Sequence, residues 1–204
     1  MAEPQIPGPT RSLRRLTVFT GSKHGNADVY VDAVERFAQT IADAGLGVVF
    51  GGGHVGLMGV LADTALAAGG EVIGVMPESM TEVEIPHANL TQLDIVPDMH
   101  ARKQRMAELG DAFVALPGGV GTLEELFEIW TWQQLGIHAK PVALFNVAGF
   151  WDPLLAMIEH MAAQGFIRQS FLDGLIVDAD AEALLAALAA WRPPPHKWRK
   201  ASQI

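Results

Sequence analysis

Seven short apolar runs recur along the 204-residue chain, and Val, Ile, Leu and Phe dominate them. They occupy residues 16–20, 47–50, 72–76, 93–96, 112–116, 142–145 and 175–177. Polar residues do not alternate cleanly with the apolar ones, a pattern that is typical of strands buried on both faces. The runs therefore predict about seven strands inside a sheet that is covered on both sides.

The segments between these runs mostly have helical periodicity. Tyr30, Val34, Phe37 and Ile41 follow one another at steps of four, three and four, which makes one apolar stripe on a helix. Similar patterns occupy residues 123–135, 152–164 and 180–191. Repeated strand–helix–strand units predict an α/β fold, a three-layer sandwich with a parallel sheet, right-handed crossovers and helices on both faces.

The length of the chain fits one domain with a single buried core. We assign residues 16–191 to this domain, residues 1–15 to a flexible N-terminal tail and residues 192–204 to a C-terminal tail. The Pro-rich start lacks the apolar core of a signal peptide, and no apolar run reaches transmembrane length. A cytoplasmic location is therefore expected.

The formal net charge of −9 argues against nucleic acid or an anionic membrane as a partner. A small anionic ligand remains compatible with this charge, because a local cluster of basic groups and backbone N–H groups can bind it. The chain has no cysteine, which excludes disulfides, thiolate catalysis, iron–sulfur clusters and cysteine-based zinc sites. His24, His54, His87 and His100 lack the spacing of metal ligands, so no metal is predicted.

Three of the predicted strands run into glycine-rich turns. These turns are residues 21–26 (Gly-Ser-Lys-His-Gly-Asn), 51–56 (Gly-Gly-Gly-His-Val-Gly) and 117–122 (Pro-Gly-Gly-Val-Gly-Thr). In a parallel sheet all such turns lie along the carboxyl edge, where a following helix offers unpaired N–H groups to an anion. Tight turning alone explains one glycine turn equally well, but three on one edge favour a single phosphate-binding pocket.

Gly51-x-Gly53-x-x-Gly56 also matches the fingerprint of dinucleotide-binding proteins. The acidic residue that should end the next strand is poorly placed, because Glu71 precedes that strand, and Glu78 ends it but lies further along than expected. This weakens the NAD interpretation, which stays open as an alternative. A P-loop is absent, since no glycine turn leads into Gly-Lys-Ser or Gly-Lys-Thr.

Two further segments at the predicted carboxyl edge carry charged groups. They are residues 98–103 (Asp-Met-His-Ala-Arg-Lys) and 122–125 (Thr-Leu-Glu-Glu), and each opens a helix. Glu125 is either a catalytic carboxylate or the second half of a capping box that begins at Thr122. Arg102 is either a ligand-binding group or the partner of Asp98 in a surface ion pair one helical turn apart.

Three segments together resemble the signatures of the LOG family, cytokinin riboside 5′-monophosphate phosphoribohydrolases that are often labelled lysine decarboxylases. The segments are residues 51–59 (Gly-Gly-Gly-His-Val-Gly-Leu-Met-Gly), 98–103 and 117–125. The last follows the pattern P-G-G-x-G-T-x-x-E, which is highly specific when it comes after the other two. Residues 132–138 and 140–142 are similar as well, and the resemblance extends over roughly residues 16–188.

The resemblance implies a homodimeric, Rossmann-like enzyme that needs no cofactor. It would hydrolyse the N-glycosidic bond of a cytokinin riboside 5′-monophosphate or AMP, releasing the free base and ribose 5-phosphate. By the same resemblance, Arg102 and Glu125 are the catalytic pair. The phosphate is expected at Gly21, Ser22, Gly118, Gly119, Gly121 and Thr122, and the base and ribose at Glu84, Met99 and Lys103.

Some positions depart from the usual family pattern. Lys23 follows Gly21-Ser22 where many members have a second serine, and Val120 stands where an aromatic residue or glycine is common. Two other functions were weighed. A non-catalytic nucleotide sensor or carrier needs no pair such as Arg102 and Glu125, and a pyridoxal-phosphate-dependent decarboxylase needs a Schiff-base lysine that the sequence does not reveal.

Overall fold

The computed structural model describes residues 12–81 and 85–194 of the chain. The strands are β1 (Arg15–Phe19), β2 (Gly47–Phe50), β3 (Val72–Pro77), β4 (Gln92–Val96), β5 (Ala112–Ala115), β6 (Val142–Phe145) and β7 (Ile176–Asp178). The helices are α1 (Val29–Asp43), α2 (Gly56–Ala67), α3 (Met99–Leu109), α4 (Val120–Leu135), α5 (Asp152–Ala163), α6 (Gln169–Leu172) and α7 (Ala181–Ala190). Every strand end lies within one residue of the bound predicted from the apolar runs.

The seven strands form one parallel sheet in the order β4-β3-β2-β1-β5-β6-β7. Helices α1, α2 and α7 pack on one face, and α3, α4 and α5 pack on the other. This confirms the predicted α/β sandwich. Burial on both faces holds for β1, β2, β3, β5 and β6, but it was wrong for β4 and β7, which are partly exposed because they are the edge strands.

Two apolar clusters hold the three layers together, one on each face of the sheet. On the α1 side, Phe37 stacks on Phe145 with ring centroids 4.9 Å apart. On the α4 side, Trp130 is buried with Met106 of α3 and Ile158 of α5. Burial of such side chains contributes roughly 1.5–3 kcal/mol each. The sheet is therefore a rigid platform for the loops at its edges.

The chain reverses its direction of travel across the sheet between β1 and β5. It begins at β1 in the middle, adds β2, β3 and β4 on one side, and returns to place β5 on the other side of β1. Open α/β sheets bind ligands at the carboxyl edge beside this switch point. The first and third glycine turns follow the two strands that flank it.

The predicted tails fall mostly outside the described residues, although β1 already begins at Arg15. At the other end, Trp191 is buried, and its indole Nε1 donates a hydrogen bond to the Gly174 carbonyl oxygen at 2.7 Å. Among the described residues no helix combines the length and apolar character needed to cross a membrane.

Candidate functional site

The first and third glycine turns touch each other at the switch point. The Gly21 N–H donates a hydrogen bond to the Pro117 carbonyl oxygen at 3.1 Å, and the Thr20 hydroxyl donates to the same oxygen at 3.2 Å. A Cβ atom on Gly21 would lie only 3.2 Å from the Gly118 Cα. Glycine at both positions lets the two backbones approach closely enough for a shared binding surface.

The second glycine turn joins the other two. Gly56 has a φ of +59°, a conformation that favours glycine, and a Cβ atom there would collide with the backbone of Ser22 and Lys23. The three turns therefore lie side by side along the carboxyl edge, which confirms the prediction that they share one edge.

Helix α4 begins earlier than the capping-box interpretation requires. Gly119 is the N-cap residue, the helix starts at Val120, and no side chain of the cap accepts a hydrogen bond from the first turn. Thr122 therefore lies inside the first turn, so the interpretation of Thr122 and Glu125 as a capping box was wrong. The physical reason is that glycine adopts the extended cap conformation readily, which leaves the N–H groups of this turn without a side-chain cap.

Thr122 is instead part of the floor of the third turn. Its side chain is 3% exposed, and a Cβ atom on Gly118 would run into its hydroxyl group. Gly119 and Gly121 are exposed, and a Cβ atom on either would meet nothing within 4 Å. The turn thus combines a packed side with an open side from which a ligand can reach its backbone.

A pocket of about 340 Å³ opens where the first and third turns meet. Four of the residues predicted to bind phosphate line it, namely Gly21, Ser22, Gly118 and Gly119. Its lining also includes Leu57, Tyr30 and Phe150, and the two aromatic rings meet edge to face at a centroid distance of 5.6 Å. The lining of the pocket thus combines glycine backbone with aromatic surface.

Arg102 lies on α3 and is 7% exposed. Its guanidinium donates hydrogen bonds from Nε to the Val75 carbonyl oxygen at 3.1 Å and from Nη2 to the Gly51 carbonyl oxygen at 3.2 Å. Asp98 caps α3 instead, since its carboxylate accepts a hydrogen bond from the Ala101 N–H at 2.8 Å. The alternative interpretation of Arg102 as a surface partner of Asp98 was therefore wrong.

The position of the guanidinium depends on a glycine. A Cβ atom on Gly51 would overlap the Arg102 Nη2 atom, so only glycine leaves room for the side chain at the end of β2. The acceptors found for Arg102 among the described residues are neutral carbonyl oxygens and the Met99 Sδ atom, which lies 3.8 Å from Nη1. None of these acceptors carries a net charge.

Lys103 follows Arg102 on α3, but its side chain contacts α4 instead of the sheet. Its Nζ atom donates a hydrogen bond to Glu124 Oε1 at 2.5 Å and forms an ion pair with Glu128 Oε2 at 2.7 Å. Burial alone would lower the pKa of Lys103, but the two carboxylates outweigh it and raise the pKa above its ordinary value. Lys103 is therefore a charged link between α3 and α4.

The remaining predicted residues have simple positions. Glu125 is half-buried in the second turn of α4, next to Glu124, and Met99 is 42% exposed at the start of α3. Glu84 lies outside the described residues. The chain just after it runs beside the second glycine turn, where the His54 N–H donates to the Ile85 carbonyl oxygen at 3.3 Å.

Of the two acidic residues considered for a dinucleotide, Glu71 lies at the amino edge of the sheet and Glu78 at the carboxyl edge. Glu71 precedes β3, and its carboxylate accepts two hydrogen bonds from Arg15, at 2.6 Å and 3.0 Å. Glu78 begins the short 3₁₀ turn Glu78–Met80 after β3. Glu78 thus lies at the end of β3, as the sequence indicated, but it lies further from the glycine turn than the fingerprint requires, whereas Glu71 lies at the opposite edge.

Comparison with known proteins decides the family. A family model described as "Possible lysine decarboxylase" matches residues 58–188. A cytokinin riboside 5′-monophosphate phosphoribohydrolase from Rhodococcoides fascians is 49% identical over 176 residues, which cover 86% of this chain and 89% of that protein. The protein of the same name, LOG5, from Arabidopsis thaliana is 42% identical over 181 residues, covering 89% and 79%. The chain belongs to the LOG family.

Solved structures resemble the LOG-family chain in fold. The molybdenum cofactor carrier protein from Chlamydomonas reinhardtii has a TM-score of 0.65 at 21% identity, covering 86% of this chain and 96% of that one. The molybdenum cofactor binding protein from Rippkaea orientalis has a TM-score of 0.63 at 21% identity, covering 87% and 96%. At this identity the likeness establishes the Rossmann-like fold and nothing about the ligand.

Sequence reasoning missed two parts of this LOG-family site. Phe150 was not singled out, although it follows β6 and every loop after a parallel strand lies at the carboxyl edge. Glu128 was not singled out either, although it lies one turn after Glu124 and therefore on the same face of α4. The spacing of Glu124 and Glu128 along the sequence already places both on one face of α4. Only the fold shows that this face of α4 meets Lys103.

Proposed function

We propose that this protein hydrolyses the N-glycosidic bond of an adenine-type nucleoside 5′-monophosphate. Water adds to the ribose, and the products are the free base and ribose 5-phosphate. This is the reaction named for the relatives from R. fascians and A. thaliana. The observation that carries the proposal is the meeting of three glycine turns at the switch point, beside the uncapped start of α4 and the buried Arg102.

The phosphate group is assigned to the start of α4. Backbone N–H groups of Gly118, Gly119, Gly121 and Thr122 form the uncapped turn, and the helix dipole adds positive potential there. Gly21 and Ser22 bring a second backbone segment against the same turn. Because the phosphate is remote from the bond that breaks, its anchoring positions the ribose and makes the free nucleoside a poor substrate.

The reaction builds positive charge on the ribose, as in other glycosyl transfers. Glu125, two turns into the helix whose start holds the phosphate, is the carboxylate that stabilises this charge or orients the attacking water. Arg102 lies on the neighbouring helix with its guanidinium held by Val75 and Gly51. Its positive charge is available to the Glu125 carboxylate, to the departing base or to the phosphate.

The base and ribose are assigned to the α3 side of the site. Met99 presents a polarizable apolar side chain that is 42% exposed, which suits contact with an adenine ring or an apolar substituent on it. Lys103 and Glu84 complete this side in the family-based prediction. Adenine and N6-prenylated adenine remain alternative bases, and the assay below compares them.

A homodimer and a cytoplasmic location remain predictions from the resemblance. The end of α4 supports the dimer in part, because Leu135 and Ile137 are 38% and 63% exposed, and Val120 at its start is 84% exposed. Trp130 does not contribute to such a surface, since it is 2% exposed and belongs to the core. Sedimentation of the purified protein measures the oligomeric state.

The proposed function is tested by incubating the purified protein with AMP and with isopentenyladenosine monophosphate, and by separating the free base by chromatography. The native protein should release base, while Glu125→Ala and Arg102→Ala should lower kcat/KM by about 10²-fold to 10⁴-fold. Circular dichroism verifies that both variants fold. Binding of AMP without release of base would replace the hydrolase by the non-catalytic nucleotide-binding protein.

A further inference from the structure

The contact between α3 and α4 lies next to both proposed catalytic residues. Lys103 follows Arg102 on α3, and Glu124 precedes Glu125 on α4. Consecutive residues on a helix point about 100° apart, so Lys103 and Glu124 can face each other while their neighbours face the substrate. The ion pair of Lys103 therefore joins residues that are next in sequence to both members of the proposed catalytic pair.

Lys103 contacts two carboxylates on one face of α4. Glu124 and Glu128 are one helical turn apart, and their oxygens lie 2.5 Å and 2.7 Å from the Lys103 ammonium. Both contacts favour the rotation of α4 in which the face of Glu124 and Glu128 meets Lys103. A rotation by one residue would bring Glu125 to Lys103 in place of Glu124.

These contacts are well protected from solvent. The side chain of Lys103 is 10% exposed and that of Glu128 is 20% exposed, whereas that of Glu124 is 50% exposed. Electrostatic screening is weak for the buried partners, so the pair of Lys103 and Glu128 carries more of the link than the pair with Glu124. Without the ammonium, two carboxylates one turn apart on α4 would repel each other.

We propose that Lys103 is a positioning residue, which acts through Glu124 and Glu128 to set the distance and orientation of Glu125 relative to Arg102. The inference rests on the proposed function of this same site and deepens it. It assigns Lys103 to the support of the catalytic pair, in place of the direct contact with base or ribose that the resemblance suggests. Glu128 is not part of the family pattern given above, and the inference assigns it to the same positioning contact as Lys103.

The test measures kcat and KM for AMP in Lys103→Met, Glu128→Gln and the double variant. Both single variants should lower kcat about 10-fold to 10²-fold, because small misplacements of catalytic groups have effects of this size. KM should stay within about 2-fold, and the double variant should be no slower than the slower single one, as expected for residues that act as one unit. Lys103→Arg, which keeps the charge, should restore most of kcat.

Glu108→Gln on the exposed side of α3 is the matched control, because it makes the same chemical change outside this contact. It should leave kcat and KM unchanged. The melting temperature of each variant shows whether it folds, and the neutral double variant avoids a buried unpaired charge.

Two results would overturn the inference while leaving the proposed function intact. One is a native protein that releases base together with a Glu128→Gln variant whose kcat equals that of the native protein. The other is a Lys103→Met variant that raises KM while kcat stays unchanged, which would mean that Lys103 touches the substrate. A native protein that releases no base overturns the proposed function and this inference together.

Discussion

Arg15 at the amino edge of the sheet and Arg102 at the carboxyl edge are held in opposite ways. Arg15 donates two hydrogen bonds to the carboxylate of Glu71, so its charge is compensated within the protein. Arg102 donates to the carbonyl oxygens of Val75 and Gly51, which carry no net charge. The first arrangement closes a structural ion pair, whereas the second leaves the guanidinium without a charged hydrogen-bond partner among the described residues. In the proposed function this charge serves the anionic substrate.

The pockets at the two edges of the sheet are similar in size but differ in the backbone that lines them. The pocket at Arg15 measures about 330 Å³ and the pocket at the glycine turns about 340 Å³, so their size does not distinguish them. The difference lies in the backbone. At the carboxyl edge the first turn of α4 has no side-chain cap, while the residues beside Arg15 belong to strand starts and helix ends. Function follows from available donors and charge more than from volume.

The largest expected effect separates the two arginines directly. Arg102→Lys keeps the positive charge but cannot hold two carbonyl oxygens with a planar fork. We expect kcat/KM for AMP to fall by roughly 10²-fold to 10³-fold. Arg15→Lys, the same substitution at the other edge, should leave kcat/KM unchanged and lower the free energy of unfolding by less than about 1 kcal/mol, because that pair is partly exposed.

To test this difference between the two arginines, base release and urea unfolding are measured for both variants. Equal loss of activity in the two variants would contradict the distinction between a structural and a functional arginine. Equal activity in Arg102→Lys and the native protein would mean that charge alone, without the fork, is sufficient.

The second prediction uses glycines at the two ends of one strand. Gly51→Ala places a methyl group where the Arg102 guanidinium lies. Because the methyl group displaces the guanidinium, kcat should fall by about 10²-fold. Gly47→Ala places a methyl group 2.7 Å from the Glu71 carboxylate, the movable end of a flexible side chain. We expect this control to retain full kcat with a small loss of stability. A Gly51→Ala variant with native kcat would show that the observed place of the guanidinium is not required.

The strands were predictable because burial on both faces is a local property of the sequence. The bounds of β2 and β6 agree with the apolar runs at both ends, and the sharing of one edge by the glycine turns follows from parallel pairing alone. The start of α4 was not predicted, since Thr122 and Glu125 satisfy the spacing of a capping box while the backbone of Gly119 begins the helix. Spacing identifies a compatible motif and does not show which of two caps the chain adopts.

The partners of the charged residues were not predictable from the chain alone. Arg102 reaches carbonyl oxygens 27 and 51 residues away, and Lys103 reaches Glu124 across 21 residues. Periodicity places each residue on a face of its own helix, but the face that it meets is set by the packing of α3 against α4 and the sheet. The family resemblance implied the proposed catalytic pair, and the structure adds which atoms hold Arg102, one of its members.

The smallest expected effect is a loss of stability at acidic pH, and it arises from the pair of Arg15 and Glu71 at the amino edge. The hydrogen bonds from Arg15 lower the pKa of Glu71 below its ordinary value of 4.5, against an opposing effect of burial and with help from the charge of Arg15. A carboxyl with a lowered pKa in the folded state stabilises the protein above pH 4.5, and this contribution disappears as the pH falls through the lowered pKa. Glu71→Gln removes the titration.

Urea unfolding of the native protein and of Glu71→Gln between pH 7 and pH 3 should therefore give two stability curves that converge on the acid side. Above about pH 5 the native protein should be more stable by less than about 1 kcal/mol, since the two side chains are 31% and 40% exposed. Activity per folded molecule should be the same for both proteins, because the pair lies at the edge opposite the glycine turns. Parallel stability curves would contradict the lowered pKa of Glu71, and a loss of kcat in Glu71→Gln would mean that the two edges of the sheet are coupled.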